Sequence, residues 1–231
     1  GVVEVFHQVG VTAGANIRDD RHLAAEGIKV IQVNMKSVYQ TAGYVGADWV
    51  QVGEMTATAA VNACKGKSNK IAIVQGPTAS APSAYTLWGI QNVLMNNPQI
   101  QVVSSQAADW DAGKAKGITQ TVLRQHPDLC SIIDFWDGQG VGVAAAVKEA
   151  GMTGKVYVIS SGGGEQKGAC DQVAAGGYDM YLNYDVPGQA KAMAELARTQ
   201  ETLSGAQAEA DRLASALDAR QIGALAATAL I

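Results

Sequence analysis

The stretch Asp109-Trp110-Asp111 places an aromatic ring between two carboxylates, at the point where a predicted strand gives way to a predicted helix. An aromatic face can cover the C–H side of a sugar or polyol ring, and carboxylates accept hydrogen bonds from its hydroxyls. In α/β sheets, ligand crevices open at the ends of the strands. The stretch therefore indicates carbohydrate binding. The alternative is a core tryptophan beside an aspartate that caps the helix.

Apolar runs alternate with helical patterns along the chain, and this alternation predicts a parallel sheet covered by helices. The predicted strands are 27–33, 70–74, 101–105, 130–135, 155–160 and 178–184. The predicted helices are 48–65 with Asp48 as N-cap, 82–96, 111–125, a segment from about 138 to 150, 165–175, and the chain from Pro187 onwards.

Right-handed crossovers bring the carboxyl ends of parallel strands to one edge of a sheet. The segments predicted at that edge are polar, aromatic or rich in glycine, which is the main argument from the residues for a ligand crevice. These segments are Asn34, 77–83, 109–111, 136–139, 160–164 and 183–185.

The composition is that of a globular chain that can build a sizeable core. The chain has 231 residues, of which 48% are hydrophobic and 16% are charged, with a net charge of −4. This charge argues against nucleic-acid binding and against docking to anionic membranes. The sequence shows neither an apolar run long enough for a membrane span nor a signal peptide, so we expect no membrane insertion.

Cysteine and histidine spacing argues against a zinc site, because Cys64, Cys130 and Cys170 form no CxxC motif and the three histidines are scattered. The three cysteines allow at most one disulfide. Pairing of Cys130 with Cys170 is one alternative, and buried free thiols are the favoured one.

Enzymatic motifs are weak. Gly162-Gly163-Gly164 lacks the lysine and hydroxyl pair of a P-loop, and residues 138–142 lack the acidic partner of a dinucleotide site. Ser160 and Ser161 do not lie in a nucleophile elbow. We therefore expect a protein that is not an enzyme and needs no cofactor or metal.

An ordered set of motifs resembles the periplasmic solute-binding proteins of ABC transporters, within their ribose-binding-like sugar family. The resemblance covers about residues 27–195. The segments that carry it are Gly46-Ala47-Asp48 with Gly53, 70–76, 106–111, His126-Pro127-Asp128, Trp136-Asp137 and 155–160.

The resemblance implies a type I periplasmic-binding-protein fold, in which two Rossmann-like α/β lobes close on a sugar. It implies stacking by Trp110, rim and hydrogen-bond roles for Trp136 and Asp137, and a hydroxyl-binding role for Ser161. It also implies periplasmic localisation, an ABC transporter permease as partner, and a monomer. The remaining candidate ligand contacts are Asp109, Asn34, Asn183 and Asp185.

The departures from the family pattern predict an unusual ligand. Ala84 falls where ribose binders carry a clamping arginine, Trp136 replaces an asparagine, and Ser161 replaces an aspartate. A site with more aromatic and fewer charged groups suits a smaller polyol, a deoxy sugar or a less polar molecule.

We expect three units along the chain. These are a partial first lobe with the hinge region (1–75), the ligand-binding α/β lobe (76–185) and a helical C-terminal segment (186–231). The first lobe is expected to be truncated or rebuilt. We expect the terminal helix to pack on its own domain and to fray at its end, with a signalling helix or dimer face as the alternative. The predicted function is capture of a small sugar or polyol for ABC-transporter uptake; the alternative is a ligand-sensing domain of a receptor or transcriptional regulator.

Overall fold

A computed structural model describes residues 3–7, 23, 25, 27–34, 43–164 and 166–228. The elements in chain order are β1 (Val3–His7), β2 (Lys29–Val33), β3 (Gly43–Val45), α1 (Trp49–Cys64), β4 (Lys70–Gln75), α2 (Ala81–Met95), β5 (Gln101–Ala107), α3 (Ala112–Gln125), β6 (Ser131–Asp134), α4 (Asp137–Glu149), β7 (Tyr157–Gly162), α5 (Gln166–Ala174), β8 (Met180–Asn183) and α6 (Val186–Thr228). Each element predicted from the sequence is present, with ends shifted by about two residues at most. Two strands, β1 and β3, were not predicted.

The strands form two parallel sheets. One has three strands in the order β1-β2-β3, and the other has five in the order β5-β4-β6-β7-β8. The predicted α/β class with parallel sheets is therefore confirmed.

The five-stranded sheet lies between two layers of helices. Along β4, Ile71 and Ile73 point to a core shared with α1 and α2, whereas Ala72 and Val74 point to a core shared with α3 and α4. Successive side chains of a strand face opposite sides of the sheet, so a run of buried residues fills both cores.

Two aspartates begin the helices that follow loops near the sheet edge. The Oδ1 atom of Asp48 accepts a hydrogen bond from the Gln51 amide at 3.0 Å, and that of Asp111 accepts from the Lys114 amide at 2.7 Å. The predicted N-cap role of Asp48 is confirmed, and Asp111 also caps its helix.

The cysteines pair differently from either alternative drawn from the sequence. Cys64 and Cys130 form a disulfide with a Cα–Cα distance of 5.4 Å, and Cys170 is free and exposed. The favoured buried thiols and the Cys130–Cys170 pairing are both wrong. The reason is the packing of α1 across β6, which brings the last residue of the helix over the residue that precedes the strand.

The helix α1 and strand β4 belong with the five-stranded sheet. Helix α1 packs against α2, β6 and β7, and β4 lies between β5 and β6. These contacts favour a boundary near residue 48 over the one expected at residue 75, although the division into three units stays a prediction.

Helix α6 packs on the described body of the molecule near its beginning. It contacts β2 and β3, where the side chain of Leu196 lies against Gly43. Further along, Leu203 is 58% exposed and Leu213 is 54% exposed. The expected packing on the domain is therefore found for the beginning of the helix, whereas residues 201–215 are exposed throughout.

Candidate ligand-binding site

A cavity of about 510 Å³ lies where the carboxyl ends of the two sheets meet. Its lining comes from the end of β2, from segments that follow β2 to β8, and from the first turns of α6. Three of the predicted residues, Asn34, Trp110 and Trp136, line it. The aromatic side chains in its lining are Trp49, Trp110, Phe135, Trp136 and Tyr184.

Trp110 and Trp136 form one corner of the cavity. Their rings meet edge to face, with centroids 5.9 Å apart and an interplanar angle of 84°. Gly76, at the end of β4, allows this arrangement, because a Cβ atom there would overlap the Trp110 ring and crowd the Ser83 hydroxyl. Two perpendicular aromatic faces offer a ligand an apolar corner instead of a single plate.

The Asp109-Trp110 pair lies in a tight turn between β5 and α3. The two residues have φ angles of 54° and 62°, and the Asp111 amide donates to the Ala108 carbonyl at 2.9 Å. Positive φ at both central positions is the signature of a type I′ turn, which is unusual for a tryptophan. The Asp109 carboxylate forms an ion pair with Lys114 at 2.9 Å and raises the pKa of that lysine.

A buried polar network lies behind this turn. The side-chain oxygen of Gln139 accepts from the Trp110 amide at 3.1 Å, and its amide nitrogen donates to Asp134 Oδ1 at 2.8 Å. Ser160 donates to Asp134 Oδ2 at 2.6 Å. Burial removes Asp134 from water and raises the pKa of its carboxyl to about 7.

On the side of the three-stranded sheet, Asn34 lines the cavity directly after β2. Its backbone carbonyl accepts from the Trp49 indole at 2.8 Å and from the Tyr44 hydroxyl at 3.2 Å. Asn34 has a φ angle of 61°, so these two donors hold it in the left-handed region. The Trp49 ring also meets Tyr184 edge on, at 5.2 Å between centroids.

Two predicted polar residues lie one layer behind the lining. Ser161 is buried and donates to the Phe135 carbonyl at 3.0 Å, and its hydroxyl shares a 2.7 Å hydrogen bond with Tyr184. Asp137 accepts from the Tyr181 hydroxyl at 2.6 Å, which raises the pKa of that tyrosine in addition to the effect of burial. The Ser161 hydroxyl therefore orients Tyr184, and the Asp137 carboxylate orients Tyr181.

The other predicted polar residues are also placed outside the lining. Asp185 accepts from the Gly188 amide at 3.0 Å and so caps α6. Asn183 is exposed at the end of β8, beside Gly162. Ligand contact by Asp109, Asp137, Asn183, Asp185 or Ser161 stays a prediction.

The described residues contain no cluster of three or more histidine, cysteine, aspartate or glutamate side chains suited to a metal ion. Within the same part of the chain, the helices lack an apolar stretch of membrane-spanning length.

A family comparison decides how this fold is related to known proteins. Residues 21–206 match the family described as "Periplasmic binding protein domain". The chain belongs to this family. The predicted resemblance is therefore confirmed at the level of the periplasmic binding proteins.

Two similar proteins are described as binders of D-allose. The chain is 31% identical over 136 residues to the D-allose-binding periplasmic protein of Escherichia coli K12, a match that covers 57% of this chain and 44% of that protein. A solved ABC transporter periplasmic solute-binding protein of Actinobacillus succinogenes, with bound D-allose, superimposes with a TM-score of 0.74 at 24% identity. That superposition covers 86% of this chain and 71% of the other.

The fold is also that of a sensor domain. The fructose-binding periplasmic domain of a hybrid two-component system superimposes with a TM-score of 0.72 at 22% identity, covering 80% of this chain and 62% of that one. At such identities the likeness shows the fold alone. The chain spans less than half the length of the Escherichia coli relative.

Sequence reasoning on this periplasmic binding protein domain missed Trp49 and Tyr184 as lining residues. Each lies where the chain crosses between the two sheets, directly before or after a helix start. Trp49 follows the predicted N-cap Asp48, and this position at a helix start was the available signal; strand β3, which places it at the sheet edge, was not predicted.

Proposed function

We propose that this chain is the ligand-binding part of an extracytoplasmic solute-binding protein, which captures a small sugar or polyol between two lobes for uptake by an ABC transporter. The cavity between the carboxyl ends of two parallel sheets, with Trp49, Trp110 and Trp136 in its lining, carries this proposal. The names of the allose-binding relatives support the ligand class. In this proposal the protein is periplasmic, monomeric and not an enzyme.

The lining suits an uncharged solute with an apolar face. Among the described residues, the side chains around the cavity include aromatic rings and Met193 but no carboxylate, ammonium or guanidinium group. Trp110 and Trp136 would cover the C–H faces of the ligand. Neutral hydrogen-bonding groups are available for its hydroxyls from Asn34, Ser80, Thr86 and Gln189.

Specificity would follow from pairing each buried hydroxyl. A hydroxyl that loses its partner in such a site costs more than a small loss of apolar contact, because the group stays desolvated. Ser161 and Asp137 would act indirectly, since they hold Tyr184 and Tyr181 in place. A deoxy sugar would need fewer partners than a fully hydroxylated one, which matches the few polar groups of the lining.

The test is a thermal-shift screen against D-allose, D-ribose, D-fucose and xylitol, followed by titration calorimetry on any sugar that raises the Tm. Trp110→Ala should weaken binding at least about tenfold, because the ligand loses one apolar face. Trp88→Ala is the matched control, since Trp88 is 55% exposed and does not line the cavity. Equal affinity in both variants would remove Trp110 from the site, and a screen with no stabilising sugar would reject the function.

A second candidate is the ligand-sensing domain of a receptor. The sensor domain with the same fold and the exposed residues 201–215 of α6 favour it. The two functions separate in sedimentation experiments, because a signalling helix would pair copies of the chain when sugar is added. A transport protein would stay monomeric and would return the sugar chemically unchanged.

A further inference from the structure

The turn that carries Trp110 is held in an unfavourable backbone conformation. Asp109 and Trp110 are consecutive residues with positive φ, a backbone conformation that is unfavourable for a bulky side chain. Such a conformation persists only where neighbouring groups determine it. The groups that hold this turn therefore decide where the Trp110 ring lies.

The backbone amide of Trp110 takes no part in the turn's own hydrogen bond and needs an acceptor from elsewhere. The turn's own hydrogen bond joins the Asp111 amide to the Ala108 carbonyl, and the Trp110 amide is left outside it. Its acceptor is the side-chain oxygen of Gln139, at 3.1 Å. Gln139 is completely buried, so its side chain has no water to bond with and is held by these protein partners.

Asp134 and two backbone carbonyls determine which end of the Gln139 amide faces the turn. The Gln139 amide nitrogen donates to Asp134 Oδ1 at 2.8 Å, to the Val74 carbonyl at 3.1 Å and to the Gln75 carbonyl at 3.4 Å, and the amide oxygen then faces Trp110. A carbonyl can only accept hydrogen bonds, and so can Asp134 in its ionised form. A flipped amide would place oxygen against these three acceptors, so the amide has one satisfied orientation.

No cationic side chain among the described residues competes with Gln139 and Ser160 for the carboxyl oxygens of Asp134. Ser160 on β7 donates to its second oxygen, and the ionisable groups that act on it or feel its charge are Asp137, Tyr178 and Tyr184. These groups are acidic, and burial raises the pKa of both tyrosines. The hydrogen bonds of Asp134 are therefore given by the side chains of Ser160 and Gln139 and by the backbone amide of Trp136, without an ion pair among the described residues.

We propose that Gln139, oriented by Asp134, is the positioning residue that holds Trp110 against Trp136 in the form ready for ligand. The value of this arrangement for binding rests on the proposed function, because Trp110 matters to a ligand only if the cavity takes one. The arrangement itself exists without ligand. It can therefore be tested separately.

The ligand-free test uses near-ultraviolet circular dichroism, because two tryptophan rings in edge contact couple optically. The difference between wild type and Trp110→Phe defines the signal of the pair. Gln139→Leu should lose most of that signal while the far-ultraviolet spectrum stays unchanged. Ser131→Ala is the matched control: Ser131 is buried in the same strand as Asp134 and donates one hydrogen bond, to the Tyr157 carbonyl, at the other end of that strand.

Gln139→Glu provides a pH signature that a purely structural role would not give. At high pH, once both carboxyls of the pair are ionised, they repel each other and the signal should be lost. As the pH falls and the pair takes up a proton, the new carboxyl can donate to Asp134 and accept from Trp110, and the signal should return; the midpoint of this change belongs to the pair and should lie above that of Asp134 alone. Asp134→Asn should keep the signal over the whole pH range, because its amide oxygen can still accept from Gln139. These two variants remain informative if Gln139→Leu fails to fold.

Binding of D-allose, used as the probe, separates this inference from the proposed function. Gln139→Leu should weaken D-allose binding about tenfold, whereas Ser131→Ala should leave it unchanged. A Gln139→Leu protein that keeps the full tryptophan signal overturns the positioning role. A lost signal in Gln139→Leu, combined with a wild type that binds no sugar, leaves the positioning role standing and rejects the function.

Discussion

The five-stranded sheet contributes an aromatic wall to the cavity (Trp110, Phe135 and Trp136), while the three-stranded sheet contributes the β2 wall (Val33 and Asn34). Buried hydrogen bonds through Gln139 hold the aromatic wall, and a disulfide lies within its core. The β2 wall depends on two donors to a single carbonyl, from Tyr44 and Trp49. We infer that the aromatic wall is rigid, whereas the position of the β2 wall depends on contacts such as the one made by Trp49 at the start of α1.

Loss of the disulfide should have the largest effect, because it lowers the stability of the aromatic wall. The Cys64–Cys130 bond closes a loop with a sequence separation of 66. In the chain-entropy description, a loop of this length contributes about 4 kcal/mol to the free energy of unfolding. Cys64→Ala combined with Cys130→Ala should lower the urea midpoint of unfolding by an amount that corresponds to this free energy, with the near-ultraviolet circular dichroism of the Trp110–Trp136 pair as the signal. Cys170→Ala should leave the midpoint unchanged, and an unchanged midpoint in the double variant would contradict the rigid-wall description.

The second effect concerns pH and Asp134. Burial raises the pKa of this carboxyl from 3.8 to about 7, so the folded state retains a proton that the unfolded chain releases. The contribution of this carboxyl to stability should therefore be most favourable at pH 4 and below, and it should fall as the pH rises towards about 7. Asp134→Asn should remove this contribution and stabilise the protein at pH 8 by about 4 kcal/mol, with little change at pH 4.

Urea unfolding over that pH range measures the effect, with Asp128→Asn as control. Lys70 lowers the pKa of Asp128, so its contribution is present above the unfolded pKa and is lost as the pH falls, opposite in sign to that of Asp134. Identical pH profiles for wild type and Asp134→Asn would show that the carboxyl titrates normally.

The smallest effect should come from Trp49→Phe. The phenyl ring can still meet Tyr184, but the indole donor to the Asn34 carbonyl is lost. Sugar affinity in calorimetry should fall about fivefold, equivalent to about 1 kcal/mol for one hydrogen bond. Trp88→Phe is the control. A loss as large as that of Trp110→Ala would show that the two walls matter equally and would break the comparison.

Local patterns were sufficient to predict the frame of the site. Alternating apolar runs located the strands of the five-stranded sheet, and Asp48 and Asp111 cap the helices that follow loops at its edge. Parallel strands must end at a common edge, so Trp110 and Trp136 were expected near each other, and their rings are in contact.

Partners across the fold could not be read from local patterns. Asp137 was expected to contact the ligand, and in the structure its carboxylate accepts from the hydroxyl of Tyr181 on β8; ligand contact by Asp137 stays a prediction. The Cys64–Cys130 pair likewise depends on how α1 crosses β6. Strand order and helix packing decide such pairs, and neither is a property of a short stretch of sequence.

The Trp49–Tyr184 contact has a mechanical consequence. The described chain passes between the three-stranded and five-stranded sides twice, through residues 46–48 and 184–185, and the two rings meet beside these passages. Two neighbouring pivots define an axis, and a rigid-body motion that preserves both is a rotation about the line that joins them. A single angle would then describe the opening of the cavity. The fluorescence emission of Trp49, which lies next to that axis, would report this angle.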